Sequence, residues 1–202
     1  MTKLIGLTGG IATGKSTVSK LLATKLPIVD ADKIAWQVEG PGQPTTQKIV
    51  AHFGQQAVLA DGRLNRPWLG QLVFNDAQAL QALTAMTRLP IQYAMFEAIV
   101  AANQQQPDAI ILDVPLLFES GWQHVCDQVL VVTAPPAVVL QRLMARNHLS
   151  QQAAQARIDS QMPLAQKVAR ADVVLDNGAN ISKTKSAVLK WMNTITQYSK
   201  TD

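Results

Sequence analysis

The sequence predicts an α/β protein built in three layers, with a five-stranded parallel sheet between two layers of helices. Short apolar runs alternate with segments in which apolar residues recur at helical spacing, a pattern typical of parallel sheets. The last three runs are apolar apart from Asp113, as expected for strands that helices cover on both faces. The predicted strands span residues 3–8, 27–30, 110–114, 129–132 and 173–175.

Two helical segments interrupt this alternation. Residues 33–106 contain helix-like stretches, such as 69–74 and 80–89, but no convincing strand. A second helical segment covers about 140–170. We therefore expect a single domain over 1–202 with a core of 1–32, 107–139 and 171–202. The first insertion is predicted to bind an acceptor, the second is predicted to form a lid, and residues 182–198 are predicted to form a closing helix.

The composition indicates a folded protein. The chain has 202 residues, of which 48% are hydrophobic, and a formal net charge of +4, so wholesale disorder is excluded. No apolar run approaches the ~20 residues that span a bilayer, and the first apolar stretch, 4–7, is too short for a signal peptide. We expect a cytoplasmic monomer with no membrane partner. The lone cysteine, Cys126, is expected to be a small buried hydrophobe.

Residues 9–16, GGIATGKS, match the phosphate-loop pattern G-x-x-x-x-G-K-[ST] at every fixed position. Glycines allow the backbone to approach a phosphate closely, and the N–H groups of the loop and of the following helix attract anions. Lys15 is expected to reach the β- and γ-phosphates of ATP, and the Ser16 hydroxyl to ligate Mg²⁺. The alternative is a glycine turn with an incidental lysine. The residues predicted to bind nucleotide are Gly10, Ile11, Ala12, Thr13, Gly14, Lys15, Ser16 and Thr17.

Features outside the loop favour a small-molecule kinase over other nucleotide-binding proteins. No N-K-x-D sequence, which would read guanine, is present, and the chain is short for an ATPase with accessory domains. The two helical insertions match the acceptor lobe and the lid of small-molecule kinases.

Three aspartates lie at or just beyond the ends of predicted strands, at the sheet edge where parallel sheets bind ligands. Asp32 is predicted to accept the proton of an acceptor hydroxyl, with a helix N-cap as its alternative. For Asp30 the cap is favoured. Asp113 is predicted to hold Mg²⁺, usually through water, with a cap or turn as the competing interpretation.

Basic residues concentrate in the predicted lid, where five of them accompany one acid, Asp159. Arginines from a closing lid can neutralise charge on the transferred phosphoryl group and exclude water. Arg142 and Arg146 lie four residues apart and share a helical face. We predict a catalytic contact for Arg142 and a nucleotide contact for Arg146. Alternatively, the cluster is a solvated face, or Arg142 covers apolar surface with its stem. The cluster comprises Arg142, Arg146, Arg157, Lys167 and Arg170.

Several segments together are similar to one family, and the similarity covers nearly the whole chain. They are residues 5–10, 14–17, 30–35, 53–54, 61–64, 73–74 and 113–119, with Arg142, Arg146, Arg157, Gln161 and residues 171–178. The chain thereby resembles dephospho-coenzyme A kinase, the last enzyme of coenzyme A synthesis. The resemblance implies transfer of the ATP γ-phosphate to the ribose 3′-hydroxyl of dephospho-CoA.

The resemblance also implies residue roles. Asp32 matches the base of the family and Arg142 its lid arginine. Leu116, Leu117 and Phe118 would form a wall for the acceptor, although without the resemblance they indicate only a packing corner. In two places the chain differs from the usual family pattern: Leu89 stands where His precedes proline, and Trp36 stands where Arg follows Ile-Ala.

Two other functions fit parts of the sequence. One is a kinase for a different small acceptor, such as a nucleoside monophosphate, shikimate or gluconate. The other is a nucleotide-gated protein that binds nucleic acid through the basic segment. The basic residues lack interleaved aromatics, and aromatics make up 5% of the chain, so we expect no nucleic-acid partner.

Overall fold

The computed structural model describes residues 2–198, with side chains through residue 195. All five predicted strands are present, as β1 Lys3–Gly9, β2 Ile28–Asp30, β3 Ala109–Asp113, β4 Gln128–Thr133 and β5 Val173–Asp176. They form one sheet in the order β2-β3-β1-β4-β5, and the β1–β3, β1–β4 and β4–β5 pairs are parallel. The predicted fold class is confirmed.

Nine α-helices are formed by the described residues. They are α1 Lys15–Leu22, α2 Ala31–Val38, α3 Pro44–Phe53, α4 Arg66–Asn75, α5 Ala77–Asn103, α6 Pro136–Asn147, α7 Gln151–Asp159, α8 Leu164–Ala169 and α9 Ile181–Tyr198. Short 3₁₀ turns span Gln55–Ala57 and Trp122–Val125. None of these helices combines the length and the hydrophobicity that a membrane crossing requires.

The strand order explains where the ligand site lies. β1 is the central strand, with β3 and then β2 on one side of it and β4 and then β5 on the other. The crevice beyond the carboxyl end of such a strand is the usual binding site of an open parallel sheet. The segment that leaves β1 at this point is the predicted phosphate loop, which runs from Gly9 into α1.

The sheet is covered on both faces. Ile5, Leu7 and Leu130 pack with α1 and α9 in one apolar cluster that includes Val18 and Trp191. Every residue of β3 is buried, so the other face of the sheet is covered there as well. The expectation of full burial is wrong for β5, because β5 is the edge strand and only Leu175 of its four residues is buried.

The chain divides into two compact units. The first contains the chain up to Val29 and from Ala101 onward, and the second is Asp30–Val100. The second unit has its own apolar cluster around Ile49, Leu64 and Leu69. Its span overlaps the predicted insertion of 33–106, and its role in acceptor binding stays a prediction.

Two boundaries differ from the sequence-based expectation, one of a helix and one of the predicted lid. Helix α5 continues through Pro90 to Asn103, because a proline inside a long helix can remove one hydrogen bond without ending the helix. The predicted start of the lid at residue 140 falls inside α6. Val139 and Leu143 of α6 are buried, so this helix packs with the core, and the lid candidate begins after Asn147.

The lone cysteine behaves as an inert side chain. Its Sγ donates to the carbonyl oxygen of Trp122 at 3.3 Å. Burial, helped by the nearby Asp127 carboxylate, raises the pKa of the Cys126 thiol to about 12. Because the thiolate is the reactive form, Cys126 remains an unreactive thiol at neutral pH.

Candidate active site

The phosphate loop ends at a helix whose N-terminus is open to an anion. Gly14 is the N-cap of α1, with a φ of 88°, and no side chain caps the helix there. The first N–H groups of α1 therefore point out of the helix without a side-chain acceptor, and the helix dipole adds partial positive charge. Ser16 and Thr17, predicted to contact the ion and the phosphates, lie in this first turn. The arrangement suits a phosphate group.

The loop is held from one side by a buried amide. Asn177, which follows β5, is 5% exposed and donates from Nδ2 to the carbonyl oxygen of Thr13 at 2.8 Å. Its Oδ1 accepts a hydrogen bond from the Thr184 hydroxyl at 2.9 Å. A Cβ at position 14 would lie 1.9 Å from Asn177 Nδ2. Gly14 is therefore needed both for its positive φ and for the close approach of Asn177.

Arg142 joins this support. Its Nη2 donates to the carbonyl oxygen of Asn177 at 3.0 Å, and its Nη1 lies 3.4 Å from the carbonyl oxygen of Thr13. The sequence predicted that Arg142 contacts transferred phosphate from a mobile lid. The structure places it in α6, packed against the phosphate loop through backbone carbonyls. Arg146, one turn later, is exposed, and its Nε donates to Asn147 Oδ1 at 2.9 Å.

Lys15 and Asp113 form an ion pair at the loop. The Lys15 ammonium donates to Asp113 Oδ1. Asp113 ends β3 and is 4% exposed, so its carboxylate is buried, whereas 19% of the Lys15 side chain stays exposed. Neither a cap nor a turn role is seen for Asp113. The sequence predicted both residues individually, but their contact follows only from β3 lying beside β1.

Of the three residues predicted to line the acceptor, the structure leaves only Leu116 exposed. Leu116 is 44% exposed, whereas Leu117 and Phe118 are 0% and 7% exposed. Leu117 packs so closely against Gly6 that a Cβ there would lie 3.0 Å from it. The burial of Leu117 and Phe118 favours the packing-corner interpretation for these two residues, and their predicted contact with an acceptor stays a prediction.

Lys167 is the clearest correction to the basic cluster. It was grouped with the lid arginines, but it is completely buried. Its Nζ lies 2.9 Å from Glu119 Oε1 and donates to the carbonyl oxygen of Pro115 at 3.3 Å. A buried ammonium without its counter-charge would cost several kcal/mol. Lys167 is thus a structural cation, whereas Arg157 and Arg170 are exposed.

The contacts of Lys167 are part of a series of hydrogen bonds that begins at Thr8 in β1 and ends at the phosphate loop. The Thr8 hydroxyl donates to the carbonyl oxygen of Pro115 at 2.9 Å. Glu119 Oε1 accepts from the backbone N–H of Met162 at 3.2 Å. The adjacent Gln161 accepts from the N–H of Ile11 at 3.1 Å. These bonds connect the residues after β3, the residues after α7 and the phosphate loop.

The loop also borders a cavity of about 450 Å³. Gly10 and Ile11 line one side of it, and Leu140 of α6 and Ile158 of α7 line another. The lining is chiefly apolar with a few polar side chains, as in many small-molecule sites. The lid candidate therefore borders the phosphate loop within the first unit.

In the second unit, Asp30 and Asp32 have different roles. Asp30 is the N-cap of α2, and its Oδ1 accepts from the N–H of Lys33 at 3.1 Å. The expectation of a cap at Asp30 is confirmed. Asp32 lies in the first turn and is exposed. Since Asp30 holds the cap position, the capping alternative for Asp32 is wrong, and its role as a base stays a prediction.

Sequence reasoning missed three polar residues that hold the site. Asn177, Glu119 and Lys167 were noticed only as parts of similar segments or of a charge cluster. A lysine among exposed arginines gives no signal of burial. A strand-following asparagine beside a glycine was an available signal for a loop-supporting amide.

A phosphate loop after the central strand of a β2-β3-β1-β4-β5 sheet, with a lysine paired to the aspartate of the neighbouring strand, defines a phosphate-loop kinase. The family model for dephospho-CoA kinase matches residues 3–183. The chain belongs to the dephospho-CoA kinase family.

Individual relatives agree with this assignment. The dephospho-CoA kinase of Lactiplantibacillus plantarum is 96% identical over 98% of this chain and 100% of its own. That of Latilactobacillus sakei is 46% identical over 92% of both chains. The solved dephospho-CoA kinase of Campylobacter jejuni superposes with a TM-score of 0.75 at 28% identity, over 98% of this chain and 100% of that one.

The buried ion pair gives a stability prediction. Glu119→Gln leaves the Lys167 ammonium buried without a counter-charge, so the free energy of unfolding should fall by about 3–5 kcal/mol in urea denaturation. Glu97→Gln, at an exposed position of α5, is the control and should change it by less than ~0.5 kcal/mol. A Glu119→Gln protein as stable as the control would contradict a structural role for the pair.

Proposed function

We propose that this protein transfers the γ-phosphoryl group of ATP to the 3′-hydroxyl of dephospho-CoA, giving CoA and ADP, the last step of coenzyme A synthesis. The observation that carries the proposal is the Lys15–Asp113 ion pair at a phosphate loop that leads into α1, in a chain that belongs to the dephospho-CoA kinase family. A new bond forms between the acceptor oxygen and the γ-phosphorus. The bond to the ADP oxygen breaks, and the acceptor proton passes to a base.

The phosphate loop supplies the binding groups for ATP. The open N–H groups at the start of α1 receive phosphate oxygens, and Lys15 places a positive charge on the β- and γ-phosphates. Asp113 holds the ammonium of Lys15 by an ion pair. Phosphoryl transfer needs little covalent help from the protein, so positioning and charge carry most of the catalysis.

Ser16 and Asp113 fit a magnesium ion. Both offer oxygen ligands, and Mg²⁺ in kinases is commonly held by one or two protein oxygens together with substrate phosphates and waters. Asp113 is buried and already faces a cation, the Lys15 ammonium. Mg²⁺ bound there would supply charge neutralisation on the phosphate oxygens.

Asp32 is the proposed base. The residue is exposed in the first turn of α2 and is not consumed by the cap, which Asp30 provides. A carboxylate oriented towards the acceptor can accept the 3′-hydroxyl proton as the new bond forms. This assignment rests on the family resemblance together with the exposed position of Asp32 in the first turn of α2.

Arg142 and Arg146 are proposed to act on the nucleotide in different ways. Arg142 holds the phosphate loop through the carbonyl oxygens of Thr13 and Asn177, so its contribution is to position the loop. Arg146 is exposed in the last turn of the same helix, where its guanidinium can reach a phosphate.

Leu116 is the residue of the 116–118 segment that we propose for acceptor contact. The monomeric state and the cytoplasmic location inferred from the sequence stay predictions.

The direct test is ADP release by the purified protein with Mg²⁺ and ATP, with and without dephospho-CoA. We expect release that depends on dephospho-CoA, with CoA identified by mass as the product. Release that is indifferent to dephospho-CoA, but stimulated by shikimate, gluconate or a nucleoside monophosphate, would assign a different acceptor.

Lys15→Ala should abolish turnover, because it removes the charge that stabilises the transferring phosphoryl group. The matched control is Lys20→Ala, which removes an exposed lysine from the same helix and should retain the wild-type rate. Both rates are measured as acceptor-dependent ADP release. Full activity in Lys15→Ala would rule out the phosphate-loop assignment.

Asp32→Asn should lower kcat by ~100-fold or more while ATP binding stays nearly intact, because the amide cannot accept the hydroxyl proton. Asp30→Asn is the matched control, since asparagine caps a helix as well as aspartate does. Rates and ATP affinity are compared for both variants. A wild-type kcat in Asp32→Asn with normal acceptor binding would exclude Asp32 as the base.

A further inference from the structure

Trp36 is the most exposed of the four tryptophans in the chain. It is 55% exposed, whereas Trp122 and Trp191 are each 8% exposed. A large aromatic side chain left in solvent is informative when its ring is also fixed in place, because a fixed ring offers a flat binding face at little entropic cost.

The ring of Trp36 is fixed by a charged neighbour in the same unit. The guanidinium carbon of Arg66, in α4, lies 4.2 Å from the centroid of the Trp36 ring. Arg66 is itself anchored, since its Nη2 donates to Glu39 Oε2 at 2.5 Å. Glu39 directly follows α2 and is mostly buried, with 10% of its side chain exposed. The guanidinium covers one face of the ring, which leaves the opposite face and the ring edges as candidates for a ligand contact.

Trp36 shares a helical face with Asp32. Both residues are exposed on α2, four positions apart, whereas Ile34 on the opposite side is buried. Side chains at this spacing are neighbours about one turn, or ~5–6 Å, apart along the helix. A ligand that contacts Asp32 and extends along this face of the helix therefore also passes Trp36.

The acceptor has a matching spacing. In dephospho-CoA the 3′-hydroxyl and the adenine are substituents of one ribose ring, so the two groups lie within about one helical turn of each other. We propose, on the basis of the function proposed above, that Trp36 stacks on the adenine of dephospho-CoA while Asp32 takes the proton of its 3′-hydroxyl. Arg66 and Glu39 are positioning residues that hold the indole ring in place to stack on the adenine.

The chemistry of the Trp36 ring face favours a nucleobase over other ligand groups. An aromatic face attracts the π-system of a nucleobase, and such contacts are sequence-tolerant and largely independent of charge. The pair of Arg66 and Glu39 is already internally neutral, so this platform offers no spare charge that would select phosphate instead.

Kinetics of three variants test the inference. Trp36→Ala should raise the KM for dephospho-CoA by about tenfold, with kcat at saturating acceptor and the KM for ATP unchanged. Trp36→Phe keeps an aromatic face and should retain most of the affinity. Phe74→Ala removes a side chain that is 88% exposed in the same unit and should leave all constants unchanged. Melting temperatures of all three variants are compared to exclude general damage.

A spectroscopic measurement separates stacking from an indirect effect. Because Trp36 is the exposed indole, dephospho-CoA should quench the tryptophan emission of the wild type, and Trp36→Phe should lose that quenching while still binding. An unchanged KM in Trp36→Ala, an equal loss in Trp36→Phe, or quenching that persists in Trp36→Phe would overturn the proposal. If the wild type itself shows no dephospho-CoA-dependent ADP release, the proposed function fails and not merely this contact.

Discussion

The hydrogen bond from Asn177 to the carbonyl oxygen of Thr13 is the contact on which the phosphate loop depends. The loop contains two residues with positive φ, Gly14 at 88° and the non-glycine Ala12 at 57°. Such backbone conformations persist only where the surroundings determine them strongly. Asn177 provides this restraint because it is buried and is held by Thr184. The loop can therefore keep its N–H groups oriented before a phosphate arrives, which is how preorganised sites gain catalytic power.

The opposite side of the loop is fixed by a second set of contacts. Glu119 and Lys167 join the segment that follows β3 to the segment that follows α7, and Gln161 in the latter holds the N–H of Ile11. A buried ion pair gains little net stability, since desolvation offsets most of its attraction, but it tolerates few alternative arrangements once formed. Its value here is that three chain segments that are far apart in sequence keep one relative position around the loop.

The sheet and the phosphate loop could be predicted from the sequence because their signals are local. Apolar runs identify strands, and the pattern ending in Gly14, Lys15 and Ser16 carries its own geometry. The contacts between segments could not be predicted in the same way. Nothing in the residues around Lys167 indicates that it is buried, because its partner Glu119 lies 48 positions earlier and only the fold brings the two together. The burial of Leu117 and Phe118 was missed for a related reason, since an apolar triplet after a strand looks the same whether it faces a ligand or the core.

The distribution of burial distinguishes the residues that hold the phosphate loop from two exposed residues of the second unit. Residues that hold the phosphate loop are buried and bonded to several partners, so a substitution at Asn177 or Lys167 would disturb backbone groups of other segments. Leu89 and Trp36, which stand where the family usually has histidine and arginine, are 58% and 55% exposed. An exposed position can exchange a charged side chain for an apolar one at little cost to folding. In the second unit, Arg66 places a guanidinium against one face of Trp36, so this exposed position combines an aromatic ring with a neighbouring positive charge. The phosphate loop is thus held by packed side chains, whereas Leu89 and Trp36 lie at the surface, where a substitution disturbs less packing.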